Sequence, residues 1–271
     1  MTPVIGGLYI YPVKSAAGIE CDSVRLGPHG LQHDREWMLV DPAGRFLTQR
    51  EEARLALLGT AITADSLRLT LPSGDTLSLS LDHEGEVVPV QVWDSRCMAF
   101  DAGREAADLV SGWLGRPLRL VRFDTSRLRL SNKDWTAGRD VPTLFADGYP
   151  LLVLSRASIA DLAARVGHDL PVQRFRPNVL LDGIEAYGED AASGLCSGAV
   201  KLQITKACTR CVITTIDQDR GERTGDEPLR TLKGYRFDQA LRGVAFGRNA
   251  YAVEGVGSTL TRGAQVSILH A

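Results

Sequence analysis

Nowhere in the 271 residues does an apolar run approach the roughly 18 unbroken residues that a membrane helix needs, so no membrane association is expected. The first residues, Met1-Thr2-Pro3-Val4-Ile5, have no basic stretch leading into an apolar one, which argues against a secretory signal. Cysteine is sparse. Five cysteines, an odd number, speak against a disulfide framework and for reduced thiols in a cytoplasm. Excess charge is also missing: the formal net charge is −2, which excludes a general nucleic-acid-binding field. There is no dinucleotide fingerprint, P-loop, zincin motif or nucleophile elbow. Internal repeats and low-complexity tracts are absent, and the five histidines are scattered, so none is assigned a catalytic role.

What remains is an ordinary globular composition, 44% apolar and 24% charged, long enough for one large domain or two small ones. Several arginines stand singly beside Gly, Asp, Pro or Cys, a placement suited to fixed contacts with anionic groups. Short extended segments follow one another closely. Residues 4–13 and 36–41 read as strands, and the turn Asp41-Pro42-Ala43-Gly44 leads to a return strand from Phe46. Residues 66–71 and 76–81 flank Pro72-Ser73-Gly74-Asp75 as a hairpin, and 87–93 is again extended. A short amphipathic helix is expected over 103–114, and a strand over 118–123. Residues 124–149 read as a linker or active-site loop. Pro150–Leu154 is a strand, and Ser155 caps a helix that Gly167 stops. Strands follow at 179–181, 200–204, 212–216, 251–253 and 266–269. The fold class is mainly β (α+β), with a barrel or sandwich in the first half and a few helices.

Five short constellations offer chemistry. In Lys206-Ala207-Cys208-Thr209-Arg210-Cys211 the Cys-x-x-Cys is a redox dithiol, half a zinc site, or two unrelated thiols. Zinc is disfavoured because no second pair or His-x-His completes the set. A dithiol normally opens a helix, whereas a β-rich run follows here. Two buried structural cysteines are an equally good reading. Arg210 beside Cys211 would favour its thiolate, the ligand of choice for a soft metal–sulfur centre. In Phe175-Arg176-Pro177-Asn178 the proline restrains Arg176 to an extended backbone, ready to grip phosphate bidentately; a surface arginine is the plainer alternative. Tyr11-Pro12-Val13-Lys14-Ser15 ends a strand in a lysine and a hydroxyl, which suits phosphate or a solvated edge. Gly30-Leu31-Gln32-His33-Asp34-Arg35 holds an Asp–Arg pair, worth little if it lies on the surface. Phe246-Gly247-Arg248-Asn249 reads most simply as a turn.

Taken together, these segments resemble the MOSC proteins, named for the C-terminal domain of molybdenum cofactor sulfurase. The resemblance is closest to the two-part form with an N-terminal β-barrel, as in amidoxime reducing components and their bacterial relatives. It rests on the first four motifs above and on Phe46-Leu47-Thr48-Gln49-Arg50, Thr214-Thr215-Ile216-Asp217, Glu227-Pro228-Leu229 with Thr231-Leu232, and Phe246-Gly247. The resemblance implies an N-terminal β-barrel-like domain over 1–123 and a β-barrel MOSC domain over 124–271. It also implies a molybdenum–pterin cofactor (molybdopterin) with Cys211 as metal ligand and catalytic residue. Lys14, Ser15, Arg35, Arg176, Asn178, Thr209 and Arg210 match positions that hold the pterin and its phosphate. Gly148 and Tyr149 lie where the family also touches the cofactor, and Asn249 stands where some members have Tyr. Cys208 is expected to support rather than ligate. The Trp expected after Glu189-Asp190 is replaced by Ala191-Ala192, a departure that bears on local packing or substrate shape.

The implied activity is reduction of small N-hydroxylated substrates (amidoximes, hydroxylamines, N-hydroxylated bases) by oxygen-atom removal. The chain has no readable flavin, nicotinamide or iron–sulfur site, so the electrons are expected from a separate reductase or redox protein. The alternative is a carrier that holds the cofactor, or a sulfurated form of it, without turnover of its own. No motif suggests a pyridoxal-phosphate lysine.

Overall fold

Period-two burial shapes the two halves differently. In Thr76–Ser80 and Val87–Val92 exposed and buried residues alternate without a break, as in strands with one wet face. Leu151–Ser155 and Trp37–Val40 are buried at every position, as in strands covered on both sides. The computed structural model describes residues 2–270. In its first half Trp37–Val40, Arg119–Phe123, Ser95–Asp101 and Val87–Val92 form a four-stranded antiparallel sheet. A meander of Gly59–Ile62, Ser66–Thr70 and Thr76–Ser80 packs on the same core. Helix α1, Arg104–Leu114, buries Ala106, Val110 and Leu114 there and ends at Gly115, whose φ of +70° suits glycine.

The second half is a barrel that the N-terminus completes. Val4–Ile10 pairs antiparallel with Val179–Asp182, which lies parallel to Leu151–Ser155. The sheet continues through Gly243–Glu254, Val200–Arg210 and Ala192–Ser197 to Ser267–His270. It then closes on itself: Val4 bridges Gln265, and the Val266 amide donates to the Pro3 carbonyl at 2.9 Å. The parallel pair needs a crossover, which helix α2, Arg156–Val166, provides. Ser155 caps that helix through the Ser158 amide, and Gly167 stops it with φ +89°. Leu8, Val153, Leu181, Leu202 and Ala250 fill the barrel interior.

Three local expectations are corrected. Phe46–Thr48 is not a strand. Only Val40 bridges Phe46, because Thr48 then turns the chain, its carbonyl accepting from Glu51 and Glu52. Val212–Thr215 is a 3-10 turn rather than a strand, tied by the Thr214 amide to the Cys211 carbonyl. Local β-propensity yields there to the turn that follows the barrel strand. Phe246–Asn249 lies inside Gly243–Glu254 and is no β-turn; Gly247, at φ +80°, sits where the register with Val200–Arg210 shifts. The periodic reading also passed over Ser95–Asp101 as a strand.

Glu189 anchors α2 from below. It is 1% exposed, and Ser158 Oγ donates to both its oxygens at 2.8 and 3.0 Å. Burial raises its pKa. A carboxyl whose folded pKa exceeds the unfolded value of about 4.3 contributes most below that value and loses the contribution as pH rises through the folded one. Glu189→Gln removes this titration. We expect the stability of the variant relative to the natural protein to rise as pH climbs above the unfolded value of about 4.3 in chemical denaturation. A pH-independent difference would exclude this titration.

Candidate functional site

Where the two halves meet, the chain leaves an open cleft, the concave kind of place where small-ligand sites form. All eleven residues singled out in the sequence line it. Lys14 and Ser15 follow the first barrel strand, and Arg35 precedes Trp37–Val40. Gly148 and Tyr149 lead into Leu151–Ser155, while Arg176 and Asn178 lead into Val179–Asp182. Thr209 and Arg210 end the long strand Val200–Arg210, Cys211 follows it into the turn Val212–Thr215, and Asn249 projects from the neighbouring strand Gly243–Glu254.

Three lining residues hold left-handed backbones: Ser15 at φ +67°, Arg35 at +50° and Arg176 at +54°. This corrects the extended conformation expected of Arg176. Non-glycine residues persist there only when their surroundings over-determine them, and such residues concentrate at functional sites. The surroundings here are plain. The Arg35 amide donates to the Tyr11 carbonyl at 2.9 Å, and its guanidinium reaches Asp34 Oδ2 (2.5 Å), Asn178 Oδ1 (3.0 Å) and the Arg176 carbonyl (3.2 Å). Asp34 is 3% exposed, so the Asp–Arg pair is no surface pair. Asn178 also accepts from the Leu152 amide and donates to the Tyr9 carbonyl, so it stitches three segments together.

The electrostatics are one-sided. Lys14, Arg35, Arg50, Arg176 and Arg210 line the cleft against the single carboxylate of Asp147. Burial depresses the pKa of Lys14, with Asp147 working the other way. Burial also pulls Arg176 down to about 10. Arg176 Nη1 donates to the Ala16 carbonyl at 2.7 Å, whereas its buried Nη2 has no partner. A buried donor left unpaired costs free energy, so this one invites an acceptor. Asp147 Oδ1 takes the Lys14 ammonium at 2.5 Å, and its Oδ2 takes Arg50 at 3.3 Å. Desolvation opposes its ionisation, but Lys14 and then Arg50 hold its carboxyl well below the usual range.

Arg50 and Asp147 are the residues that sequence reasoning missed. Arg50 belongs to a quoted motif without an assigned role; Asp147 sits in a polar loop with no local signal. The arginine beside the thiols also behaves differently from expectation. Arg210 Nη1 donates to Cys208 Sγ at 3.1 Å, not to Cys211, and Nη2 to the Phe175 carbonyl at 2.6 Å. Successive side chains of a strand diverge, which carries Arg210 away from its neighbour.

Cys208 and Cys211 both line the cleft as free thiols, but the backbone between them is extended. Three extended residues span about 10 Å, beyond the roughly 7 Å between Cα atoms that a disulfide tolerates. We therefore expect mild oxidation with diamide to leave no Cys208–Cys211 crosslink in peptide mass spectra. Quantitative crosslinking without loss of fold would restore the dithiol reading.

The chain matches the MOSC N-terminal beta barrel domain over residues 2–117 and the MOSC domain over residues 140–267. It is 33% identical over 253 residues to mitochondrial amidoxime-reducing component 1 of Mus musculus, covering 88% of this chain and 74% of that protein. The Homo sapiens protein of the same name is 34% identical over 244 residues, covering 86% and 72%. Mitochondrial amidoxime reducing component 2 of Bos taurus is 33% identical over 242 residues, again covering 86% and 72%. With both domains matched in order, and with relatives similar along most of its length, the chain belongs to the MOSC family, in the form that carries an N-terminal β-barrel domain.

Proposed function

We propose that the chain is a molybdenum-cofactor-dependent oxidoreductase that removes oxygen from N-hydroxylated compounds such as amidoximes and hydroxylamines. One observation carries the reading: the free thiol of Cys211 shares a cleft with five cations and a buried, unpartnered guanidinium nitrogen. That donor set fits a phosphate-bearing group whose metal accepts one protein thiolate. Among the described residues no three His, Cys, Asp or Glu converge as a metal cage, so the remaining ligands would come from the organic part of the cofactor. The names of the relatives point to the same substrate class.

In this reading Cys211 ligates the metal, and its carbonyl, fixed by Thr214, sets the thiol's position. Lys14, Ser15, Arg35 and Arg176 hold the phosphate, with Asn178 bracing Arg35. Arg176 offers Nη2 while Nη1 stays on Ala16, so its grip is directed by one nitrogen rather than by a free fork. Gly148, Tyr149, Thr209, Arg210 and Asn249 border the pterin. At Gly148 even an added Cβ would meet nothing within 4 Å, which leaves room for a flat ring. When bound, the cofactor supplies the two-electron chemistry that turns R–NH–OH, two electrons and two protons into R–NH2 and water. Asp147 stays ionised near neutral pH, so it holds Lys14 and Arg50 in place and does not serve as the proton donor. The electrons come from a separate redox protein through a transient contact, as is usual for such encounters. Reduced, unpaired cysteines suit a cytoplasmic setting.

The test is direct. Purified from a host that makes the pterin, the chain should hold about one molybdenum, as expected for a single thiolate site. It should reduce benzamidoxime or hydroxylamine with a reduced viologen dye, and do nothing with NADH alone. Stoichiometric zinc without molybdenum would overturn the cofactor reading. Bound cofactor that is released without turnover would favour a carrier, and NADH-driven turnover by the pure chain would remove the need for a partner.

The two thiols should separate. Cys211→Ser is expected to abolish reduction while leaving fold and pterin content intact, since the phosphate contacts remain. Cys208→Ser keeps a group that can accept from Arg210 and donate to the Thr209 carbonyl, and should keep most of the activity. Equal loss in both, with fold and cofactor retained, would make the pair the functional unit.

A further inference from the structure

Arg129 does not line the cleft, yet it bears on everything along one wall of it. The residue is 8% exposed. Its guanidinium touches no carboxylate: Nη1 donates to the carbonyls of Leu144 (2.6 Å) and Ala146 (2.7 Å), and Nη2 to that of Asp147 (3.1 Å). Nε is buried without a partner. The carbonyl between them, that of Phe145, accepts from the Lys14 ammonium at 2.7 Å. Four consecutive backbone carbonyls of an irregular loop are thus all taken by two buried cations.

We propose that Arg129 is a positioning residue for the anion-binding wall of the cleft, setting Lys14 through this loop. The inference rests on the reading that the cleft receives a phosphate-bearing ligand. The loop has no helix or strand ladder to satisfy its carbonyls, and a buried carbonyl without a donor is costly. Without Arg129 the segment 144–147 must turn outward to find water. The Phe145 carbonyl and the Asp147 carboxylate then move with it, and these two groups hold the Lys14 ammonium. A buried guanidinium with carbonyl partners alone is a poor stabiliser. Its value lies in holding a ligand-bearing wall through locked supporting contacts. It also keeps an uncompensated positive charge just behind the cleft, which favours an anion.

The experiment uses the full chain made without the pterin, with inorganic pyrophosphate as the probe in isothermal titration calorimetry. Arg129→Ala should weaken pyrophosphate binding about tenfold or more, the loss expected when charged hydrogen bonds fail. Millimolar guanidinium, filling the vacated space, should restore much of the affinity. Leu69→Ala, a core truncation in the 66–80 hairpin, serves as the stability control and should change affinity by less than about twofold, since distant sites act independently. Where Arg129→Ala does not fold, Arg129→Lys decides: its ammonium keeps the charge but cannot span three carbonyls, so binding should fall to an intermediate level. Natural affinity in a folded Arg129→Ala or in Arg129→Lys would overturn the proposal. So would an equal loss in Leu69→Ala with no recovery in guanidinium. If the natural chain itself fails to bind pyrophosphate, the phosphate reading falls and this proposal with it. Binding by the natural chain that Arg129 does not affect would leave the phosphate reading standing alone.

Discussion

Two guanidinium groups of like charge share one buried tyrosine ring. Arg35 lies 4.3 Å and Arg176 4.1 Å from the Tyr11 centroid. The negative face of an aromatic ring attracts a cation, and the attraction strengthens where water is excluded. Tyr11 is fully buried, and burial raises the pKa of its hydroxyl far above the ordinary range, so the ring stays neutral. Its amide donates to Asp34 Oδ1 at 2.8 Å and its hydroxyl to the Pro177 carbonyl at 3.2 Å. One residue thus ties the end of the first strand to the turn that presents Arg35 and to the segment that presents Arg176. The left-handed backbones at both arginines are tolerable because this stack and the Asp34 pair hold them.

The cleft is basic although the chain carries a net charge of −2. Whole-chain charge averages over ion pairs spread across the surface, such as Arg104–Asp108 and Arg220–Glu222, which contribute little to either stability or recognition. The five cleft cations matter because most of their partners are backbone carbonyls or an aromatic face, which orient a cation without cancelling its charge.

Much of the architecture was readable from periodicity. The hairpin around Pro72–Asp75, α1, and α2 with its Ser155 cap and Gly167 stop follow from local pattern alone. What local pattern missed depended on distant parts of the chain. Val212–Thr215 has strand-forming residues, but the barrel strand before it has already reached its end. Arg176 precedes a proline, which predicts an extended residue; the stack on Tyr11, remote in sequence, holds it otherwise. The candidate site was assembled by family resemblance rather than by spacing, since its parts come from six separate segments. Arg129 and Asp147 escaped both routes. Nothing near Leu128-Arg129-Leu130 in the sequence says that its carbonyl partners lie at 144–147.

The closure of the barrel by the first strand has a consequence for synthesis. Val4–Ile10 emerges from the ribosome before any of its barrel partners, and waits for Val179–Asp182 and then for Gln265. Pairings that distant in sequence are slow to form, and an unpaired strand edge is open to misassociation meanwhile. The first half can gather its own core around Trp37 and α1 early, and its leading strand can pair at once with Ile19–Cys21, but the other edge of that strand stays open until Val179–Asp182 follows. The same closure leaves Pro3 and Val266 side by side. Residues so far apart in sequence come together only once the last strands have been made, so the barrel closes as a late, long-range event.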